Sequence, residues 1–121
     1  MAVRNFKDLL VWQKGIELVE ETYKLVRLLP KDELYALSSQ MRRAAVSIPS
    51  NIAEGQKRKS PKEFINFLSF ARGSAAELET QYIICERLGF LTNEQVELPI
   101  NMCVELYKML NNFINKINED I

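Results

Sequence analysis

The sequence contains no histidine, the side chain that most often serves as a general base and as a metal ligand. Its absence removes the usual partner of a serine or cysteine nucleophile and the Glu-x-x-His pairs that hold di-iron centres in helical bundles. Cys-x-x-Cys, Gly-x-x-x-x-Gly-Lys and Gly-x-Gly-x-x-Gly motifs are missing as well. Sites made only of carboxylates are still open by residue type, but the candidates Glu54, Glu63, Glu77 and Glu79 follow no known ligand spacing. We therefore expect no enzyme activity, no metal and no cofactor.

Glycine and proline are scarce, with four of each among 121 residues, which favours a few long elements over many strands and turns. Apolar residues make up 47% of the chain and charged residues 26%, a composition typical of one globular domain over residues 1–121. The longest apolar runs span four residues, far below the roughly 20 that cross a bilayer. The first residues lack the apolar segment of a signal peptide. We expect a cytoplasmic protein without a membrane segment.

The spacing of apolar residues predicts four amphipathic helices. In the first helix, Leu9, Trp12, Ile16, Val19, Tyr23 and Val26 recur every three or four residues, which a strand does not produce. The same period predicts helices over about 8–28, 32–54, 61–88 and 93–119. Because the connections are short, sequential helices should be antiparallel. The predicted fold is all-α, an antiparallel up-down-up-down four-helix bundle.

Several residues mark the ends of these helices. The sequences Ser60-Pro61-Lys62-Glu63 and Thr92-Asn93-Glu94-Gln95 are capping boxes and predict the starts of helices three and four. Gly55 and Gly89 are expected to end the preceding helices in a left-handed conformation. Cys85 and Cys103 should lie roughly 10 Å apart along neighbouring helices, too far for a disulfide, so both are expected to be buried thiols.

Some apolar residues lie beside the predicted core stripes. They indicate either a surface buried between subunits or simply a wide core-facing stripe, and we favour oligomerisation. These residues are Leu10, Leu18 and Leu25 in helix one, Ile65, Phe67 and Phe70 in helix three, and Leu98, Met102, Leu106 and Phe113 in helix four.

Charge is distributed unevenly along a chain whose formal net charge is zero. Residues 42–72 carry seven positive and two negative side chains, whereas residues 73–121 carry three positive and eight negative ones. We expect the basic side chains to gather at the end of the bundle near the connection between helices two and three, where they would contact phosphates or remain solvated. The candidate nucleic-acid-binding residues are Arg42, Arg43, Lys57, Arg58, Lys59 and Lys62.

A polar stripe is predicted on helix two, where Gln40, Arg43, Ser47, Asn51 and Glu54 share one side. It is either a solvated face or a buried network that faces helix three, and in the second case Arg43 would pair with Glu77. Asn51 and Glu54 would then bond the backbone that Pro49 makes irregular.

The run from Gln40 to Gly55 (QMRRAAVSIPSNIAEG) resembles the central motif of the 23S rRNA intervening-sequence proteins, the four helix bundle protein family. Leu10–Lys14 and Ala71–Thr80 match the same pattern, so the resemblance covers essentially the whole chain in order. The sequence is also similar to the accessory protein of diversity-generating retroelements, although that protein is strongly basic and this chain is neutral.

The resemblance implies a homopentameric ring of four-helix bundles from a bacterium, in a family whose biochemical role is not settled. It also implies the partners: further copies of the chain, rRNA or another nucleic acid, or a protein such as a reverse transcriptase. The motif positions to which it points are Arg42, Arg43, Asn51, Glu54, Gly55 and Glu77. Two functions follow as hypotheses: a non-catalytic oligomer that binds RNA or DNA through a basic surface, or a protein-interaction scaffold that binds no nucleic acid.

Overall fold

Four α-helices account for most of residues 5–121, the part of the chain that the computed structural model describes. They are α1 (Leu10–Val26), α2 (Leu37–Gln56), α3 (Pro61–Arg87) and α4 (Asn93–Glu119). Short 3-10 turns at Phe6–Asp8 and Lys31–Glu33 precede α1 and α2, and residues 5–121 contain no strand. The predicted all-α, four-helix fold is confirmed.

The starts of α3 and α4 have the predicted caps. The Ser60 hydroxyl accepts the Glu63 N–H at 3.4 Å, with Pro61 in the first turn. Thr92 and Gln95 accept each other's backbone N–H groups at 3.1 and 2.8 Å, which completes a capping box. Both caps satisfy N–H groups that have no partner within the helix. Gly89 follows α3 with a φ of 78°, the left-handed conformation that was expected there.

The predictions for both ends of α2 are wrong. The segment expected to begin the helix at residue 32 instead closes a 3-10 turn, in which the Glu33 N–H donates to the Pro30 carbonyl at 2.9 Å. Ala36 then has a non-helical backbone (φ −120°, ψ −104°), so the α-helix begins only at Leu37. Gly55 does not stop the helix, because it lies inside α2 with a negative φ.

Contacts between successive helices indicate that they are antiparallel, since residue numbers rise along one helix as they fall along the next. The α2–α3 contacts are Met41 with Cys85, Ser47 with Ser74, and Gly55 with Phe64. The α3–α4 contacts include Glu86 with Asn93 and Arg72 with Asn111. Helix α1 packs against α2 and, less extensively, against α4.

The core includes part of the apolar edge that was assigned to a subunit surface. Leu18, Leu25 and Leu106 are buried within the bundle, whereas Tyr23 of the predicted core stripe is 42% exposed. Each helix packs against two neighbours, so its buried stripe is wider than a single line of residues. The apolar side chains that stay largely exposed include Leu10, Phe70 and Leu98.

A buried hydrogen bond joins α1 to α3 inside this core. The Tyr82 hydroxyl donates to Thr22 Oγ1 at 2.7 Å, and both side chains are fully buried. Burial raises the pKa of the Tyr82 hydroxyl well above its usual range. Cys85 and Cys103 are buried free thiols, as predicted.

Two glycines allow helices to approach closely. A Cβ at Gly15 would meet Pro49 and Ile48 at 3.4 Å, so α1 packs directly on the proline of α2. A Cβ at Gly55 would lie 2.7 Å from the Phe67 Cβ, too close to fit. Within residues 5–121, no helix is long and apolar enough to cross a membrane.

Candidate nucleic-acid interface

A groove follows the contact between α1 and α2 near the connection of these helices. Its deeper part is a cavity of about 560 Å³ with an apolar lining that includes the buried Val26 and Leu29. Arg27 and Lys31 are exposed beside this lining, and Arg42 of α2 lies opposite them. The apolar lining is therefore bordered by three cations.

A shallower depression of about 430 Å³ adjoins this cavity along α2. Tyr23 and Arg42 line both spaces, and Arg43, Ser39 and Ser47 line only the second. We name the two spaces together the basic groove, after the four cations Arg27, Lys31, Arg42 and Arg43. Among residues 5–121, no carboxylate lines either space.

The cations of the basic groove have few protein partners. The Arg42 guanidinium lies 3.5 Å from the Leu34 carbonyl, and that of Arg43 lies 3.4 Å from Ser39 Oγ, both at the outer limit of hydrogen bonding. None of the four cations joins an ion pair among residues 5–121. Their charge is therefore available to an external anion.

The basic side chains predicted to gather at one end of the bundle lie in two separate places. Lys57 directly follows α2 and lies 14 positions after Arg43, which corresponds to about 21 Å along the helix. Arg42 and Arg43 lie near the α1–α2 connection, whereas Lys57, Arg58, Lys59 and Lys62 surround the α2–α3 connection. The expectation of a single cluster is wrong because α2 carries the two arginines toward its opposite end.

The α2–α3 connection is here named the basic loop (residues 57–62). Some of its cations already contact other side chains of the protein. Arg58 forms an ion pair with Glu54 at 3.8 Å and lies 4.9 Å from the centre of the Phe67 ring. Lys57 Nζ lies 5.9 Å from the centre of the Phe6 ring. Lys59 and Lys62 are exposed and make no ion pair with any of the residues that the structure describes. The loop therefore offers fewer unpaired charges than its sequence suggests.

The polar stripe of α2 was predicted to be either a solvated face or a network that faces α3, and each alternative holds for part of it. Asn51 Nδ2 donates to the Ser47 carbonyl at 2.7 Å, which satisfies backbone near Pro49 as expected. Ser47 Oγ lies 2.8 Å from the Ala44 carbonyl and 2.6 Å from Ser74 Oγ, so it donates to the first and accepts from the second. The middle of the stripe thus binds α3.

The ends of the stripe are exposed and do not join the expected network. Arg43 and Glu77 form no ion pair, since Arg43 contacts Ser39 and the Glu77 carboxylate lies 3.5 Å from Gln81 Nε2. Glu54 bonds Arg58 rather than the backbone at Pro49. Gly55 has a packing role, because α3 leaves no room there for a side chain.

The opposite side of α1 borders a groove of contrasting charge. It is a cavity of about 560 Å³ between α1 and α4, and its lining includes apolar residues such as Leu98 and Met102. Two lysines line it as well, and Lys14 lies 3.9 Å from the Glu105 carboxylate. We name it the acidic groove, after its four carboxylates Glu17, Glu20, Glu21 and Glu105.

Sequence reasoning missed three residues of the basic groove: Tyr23, Arg27 and Lys31. Tyr23 was assigned to the core, but it is 42% exposed. The spacing of four residues between Tyr23 and Arg27 was a usable signal, because residues four apart share one face of a helix, whereas Lys31 lies in the 3-10 turn beyond α1. The acidic groove was missed as well, because its carboxylates come from two distant segments.

Comparisons with known proteins place the chain among related bundles. A family model described as 23S rRNA-intervening sequence protein matches residues 7–112. A crystal structure from Bacteroides thetaiotaomicron, of a protein with unknown function from the S23 ribosomal protein family, superposes with a TM-score of 0.81. Its sequence is 30% identical, and the match covers 87% of this chain and 98% of that one. Among proteins with curated descriptions, none matches.

Proposed function

This chain belongs to the 23S rRNA-intervening sequence protein family, and from that premise we propose that it is a non-catalytic, homo-oligomeric protein that binds RNA or DNA through its basic groove. The observation that carries the proposal is the set of four cations along the α1–α2 contact, without a carboxylate in the lining. Arginine and lysine side chains that neutralise the phosphates of a nucleic acid release the counterions condensed on it, so binding to this groove should depend on salt concentration.

Zero net charge is compatible with this function because the charges are segregated. A neutral protein attracts polyanions weakly at long range, but a groove of one sign produces a strong local potential. Assembly increases the effect, since each copy contributes a basic groove and a polyanion can contact several of them at once.

Homo-oligomerisation is supported by the apolar side chains that the bundle leaves uncovered. Leu10, Phe70 and Leu98 are each more than half exposed. Exposed side chains of this size are typical of surfaces buried between subunits. The resemblance found in the sequence favours a ring of five copies, and the proposal adopts it together with the cytoplasmic location expected from the sequence.

The absence of catalysis is part of the proposal. The whole sequence lacks histidine, and its two thiols are buried, with pKa values raised by burial to about 11 for Cys85 and about 12 for Cys103. Buried thiols of high pKa are poor nucleophiles because little thiolate forms at neutral pH.

The acidic groove favours a second candidate function, a scaffold that binds a partner protein. Leu98 is 56% exposed and lies among carboxylates, a combination that suits a basic amphipathic segment of another protein. A reverse transcriptase is one such partner in the retroelement branch that the sequence resembles.

Two measurements on the full-length protein test the proposed function. Light scattering should give about five times the protomer mass of 14.0 kDa, and a stable mass near 14 kDa would refute assembly. Fluorescence anisotropy with labelled RNA and DNA should show binding that weakens steeply between 50 and about 200 mM salt. Absence of binding to any nucleic acid at 50 mM salt would refute the nucleic-acid function and favour the scaffold.

A further inference from the structure

The basic groove has an apolar component that phosphate binding does not require. Val26 and Leu29 line the deeper cavity together with the ring of Tyr23, and the cations lie beside them. Phosphates are hydrated anions and gain nothing from an apolar surface. The groove therefore fits a ligand that carries an apolar planar part and a negative charge in the same repeating unit.

We propose that the basic groove binds unpaired nucleotides of single-stranded RNA or DNA, with a base stacked on Tyr23 and the phosphates next to Arg27, Arg42 and Arg43. The proposal rests on the nucleic-acid function proposed above and specifies its substrate class. Single-strand sites commonly combine a positive groove with aromatic side chains on which bases stack.

The arrangement of the two spaces matches a repeating polymer. The cavity of about 560 Å³ is within the usual range of small-ligand sites, about 300–1,000 Å³, and the adjoining depression is of similar size. Tyr23 and Arg42 line both spaces, so the same two residues border each of them. Successive nucleotides of one strand would place a base in each space and a phosphate near the shared arginine.

A duplex fits this groove poorly. Its bases are stacked and paired inside the helix, and it presents mainly phosphates and sugars to a protein surface. The phosphates of a duplex would reach the exposed cations, but its paired bases would leave the apolar lining of the groove uncovered.

A second exposed ring lies beside the groove. Tyr35 is 92% exposed and immediately follows Leu34, which lines the deeper cavity, so this ring is available to a strand that leaves the groove.

The closing experiment compares single and double strands on ring variants of the full-length protein. Anisotropy titrations would use a labelled 12-nucleotide oligouridine and a labelled 12-base-pair RNA duplex at 50 mM salt. The wild-type protein should bind the single strand more tightly, and Tyr23→Leu should weaken that binding about tenfold or more, as loss of a base–aromatic stack does. Tyr23→Phe keeps the ring and should stay within about twofold of wild type.

Tyr107→Leu is the matched control. Tyr107 is exposed to nearly the same extent, 40% against 42%, but it lies on α4 with Arg72 6.0 Å from its ring centre. This variant should bind both ligands like the wild-type protein.

One result would overturn the inference while leaving the proposed function intact: equal affinity for both ligands with no loss in Tyr23→Leu. Displacement of the oligouridine by polyglutamate at the same charge concentration would indicate an acidic-peptide site and would contradict both the inference and the proposed function. Failure of every nucleic acid to bind would instead refute the proposed function itself.

A second measurement does not depend on the folding of a variant. The wild-type protein would be irradiated with an oligouridine that contains 5-iodouridine, and the crosslinked peptide identified by mass spectrometry. The inference predicts crosslinks at Tyr23 or Tyr35. Crosslinks confined to residues 57–64 would place the strand on the basic loop and overturn it.

Discussion

The two sides of α1 border grooves of similar size and opposite charge. Toward α2, the lining has four cations and no carboxylate, and toward α4 it has four carboxylates and two lysines. The first groove lies beside a tight contact, where Gly15 lets Pro49 approach, whereas α1 packs less extensively on α4. One helix thus separates a well-packed basic side from a more open acidic side.

This difference shows that charge counted along the chain is a poor guide to charge on the surface. Residues 1–41 carry six positive and six negative side chains and therefore look neutral. In the fold, Arg27 and Lys31 from this segment join Arg42 and Arg43, while Glu17, Glu20 and Glu21 join Glu105 from the last helix. The packing of α1 against α2 on one side and α4 on the other, rather than sequence position, separates the signs.

Charge reversal in each groove should have the largest effect and tests the comparison directly. We expect Arg27→Glu/Arg42→Glu to lower nucleic-acid affinity about 100-fold at 50 mM salt and to reduce the salt slope by about two. The matched variant Glu17→Lys/Glu20→Lys should bind as tightly as wild type or more tightly. Anisotropy titrations at several salt concentrations measure both. Equal losses in the two variants would mean that the contrast between the grooves has no role in binding.

The tight contact on the basic side should respond strongly to added volume. We expect Gly15→Leu to lower the free energy of unfolding by about 2–3 kcal/mol, because the side chain would have to displace Pro49 and Ile48. Gly15→Ala should be neutral or stabilising, since its Cβ fits at 3.4 Å and alanine favours the helix. Urea unfolding measures both changes.

Leu98→Ala provides the comparison on the acidic side. Leu98 is largely exposed there, so the change should stay within about 0.5 kcal/mol for the protomer fold. A larger loss that does not depend on protein concentration would show that Leu98 is packed within the protomer, and the contrast in packing would then be wrong.

The core between the two grooves depends on the hydrogen bond from Tyr82 to Thr22. We expect Thr22→Val to cost about 1–2 kcal/mol, because it leaves the buried Tyr82 hydroxyl without an acceptor. Adding Tyr82→Phe should recover part of that loss, since neither polar partner then remains. A double-mutant cycle by urea unfolding tests this. Additive losses would contradict a direct coupling.

The smallest effect concerns the buried thiols and appears only at high pH. Burial raises the pKa of Cys85 to about 11 and that of Cys103 to about 12, and the nearby Glu33 and Glu79 respectively add to the shift. Since these pKa values lie above those of the unfolded chain, stability should be constant below about pH 8.5 and fall as the unfolded thiols ionise. Urea midpoints from pH 7 to 10 measure the change.

A Cys85→Ala/Cys103→Ala variant is the control for that titration. In this variant, the part of the stability decline that thiol ionisation causes should be absent. In the native protein at pH 8, a thiol reagent such as DTNB should react far more slowly than in urea. Rapid labelling of the folded protein would contradict the burial of both thiols.

Local sequence determined the parts of the fold that depend on neighbours in the chain. The caps at Ser60 and Thr92 and the left-handed Gly89 were predictable because each involves only a few consecutive residues. The start of α2 was not, since the segment after Pro30 satisfies its own backbone in a 3-10 turn. The role of Gly55 was not predictable either, because it depends on the approach of α3.

The residues of the candidate site also fall into those that local sequence identified and those that only helix packing brought together. Arg42 and Arg43 were identified from the sequence, and their position on one helix was sufficient to separate them from Lys57 by about 21 Å. That Tyr23, Arg27 and Lys31 lie along the same groove as these arginines depends on the packing of α1 on α2.

By itself, the sequence determined that the chain forms four amphipathic helices and which family it belongs to, because helical period, caps and motif are properties of residues close together in the chain. Only the tertiary structure decided which charges face one another. The four cations come from the α1–α2 connection and from α2, whereas three of the four carboxylates come from α1 and the fourth from α4. The two grooves therefore exist only because α1 packs against α2 on one side and against α4 on the other.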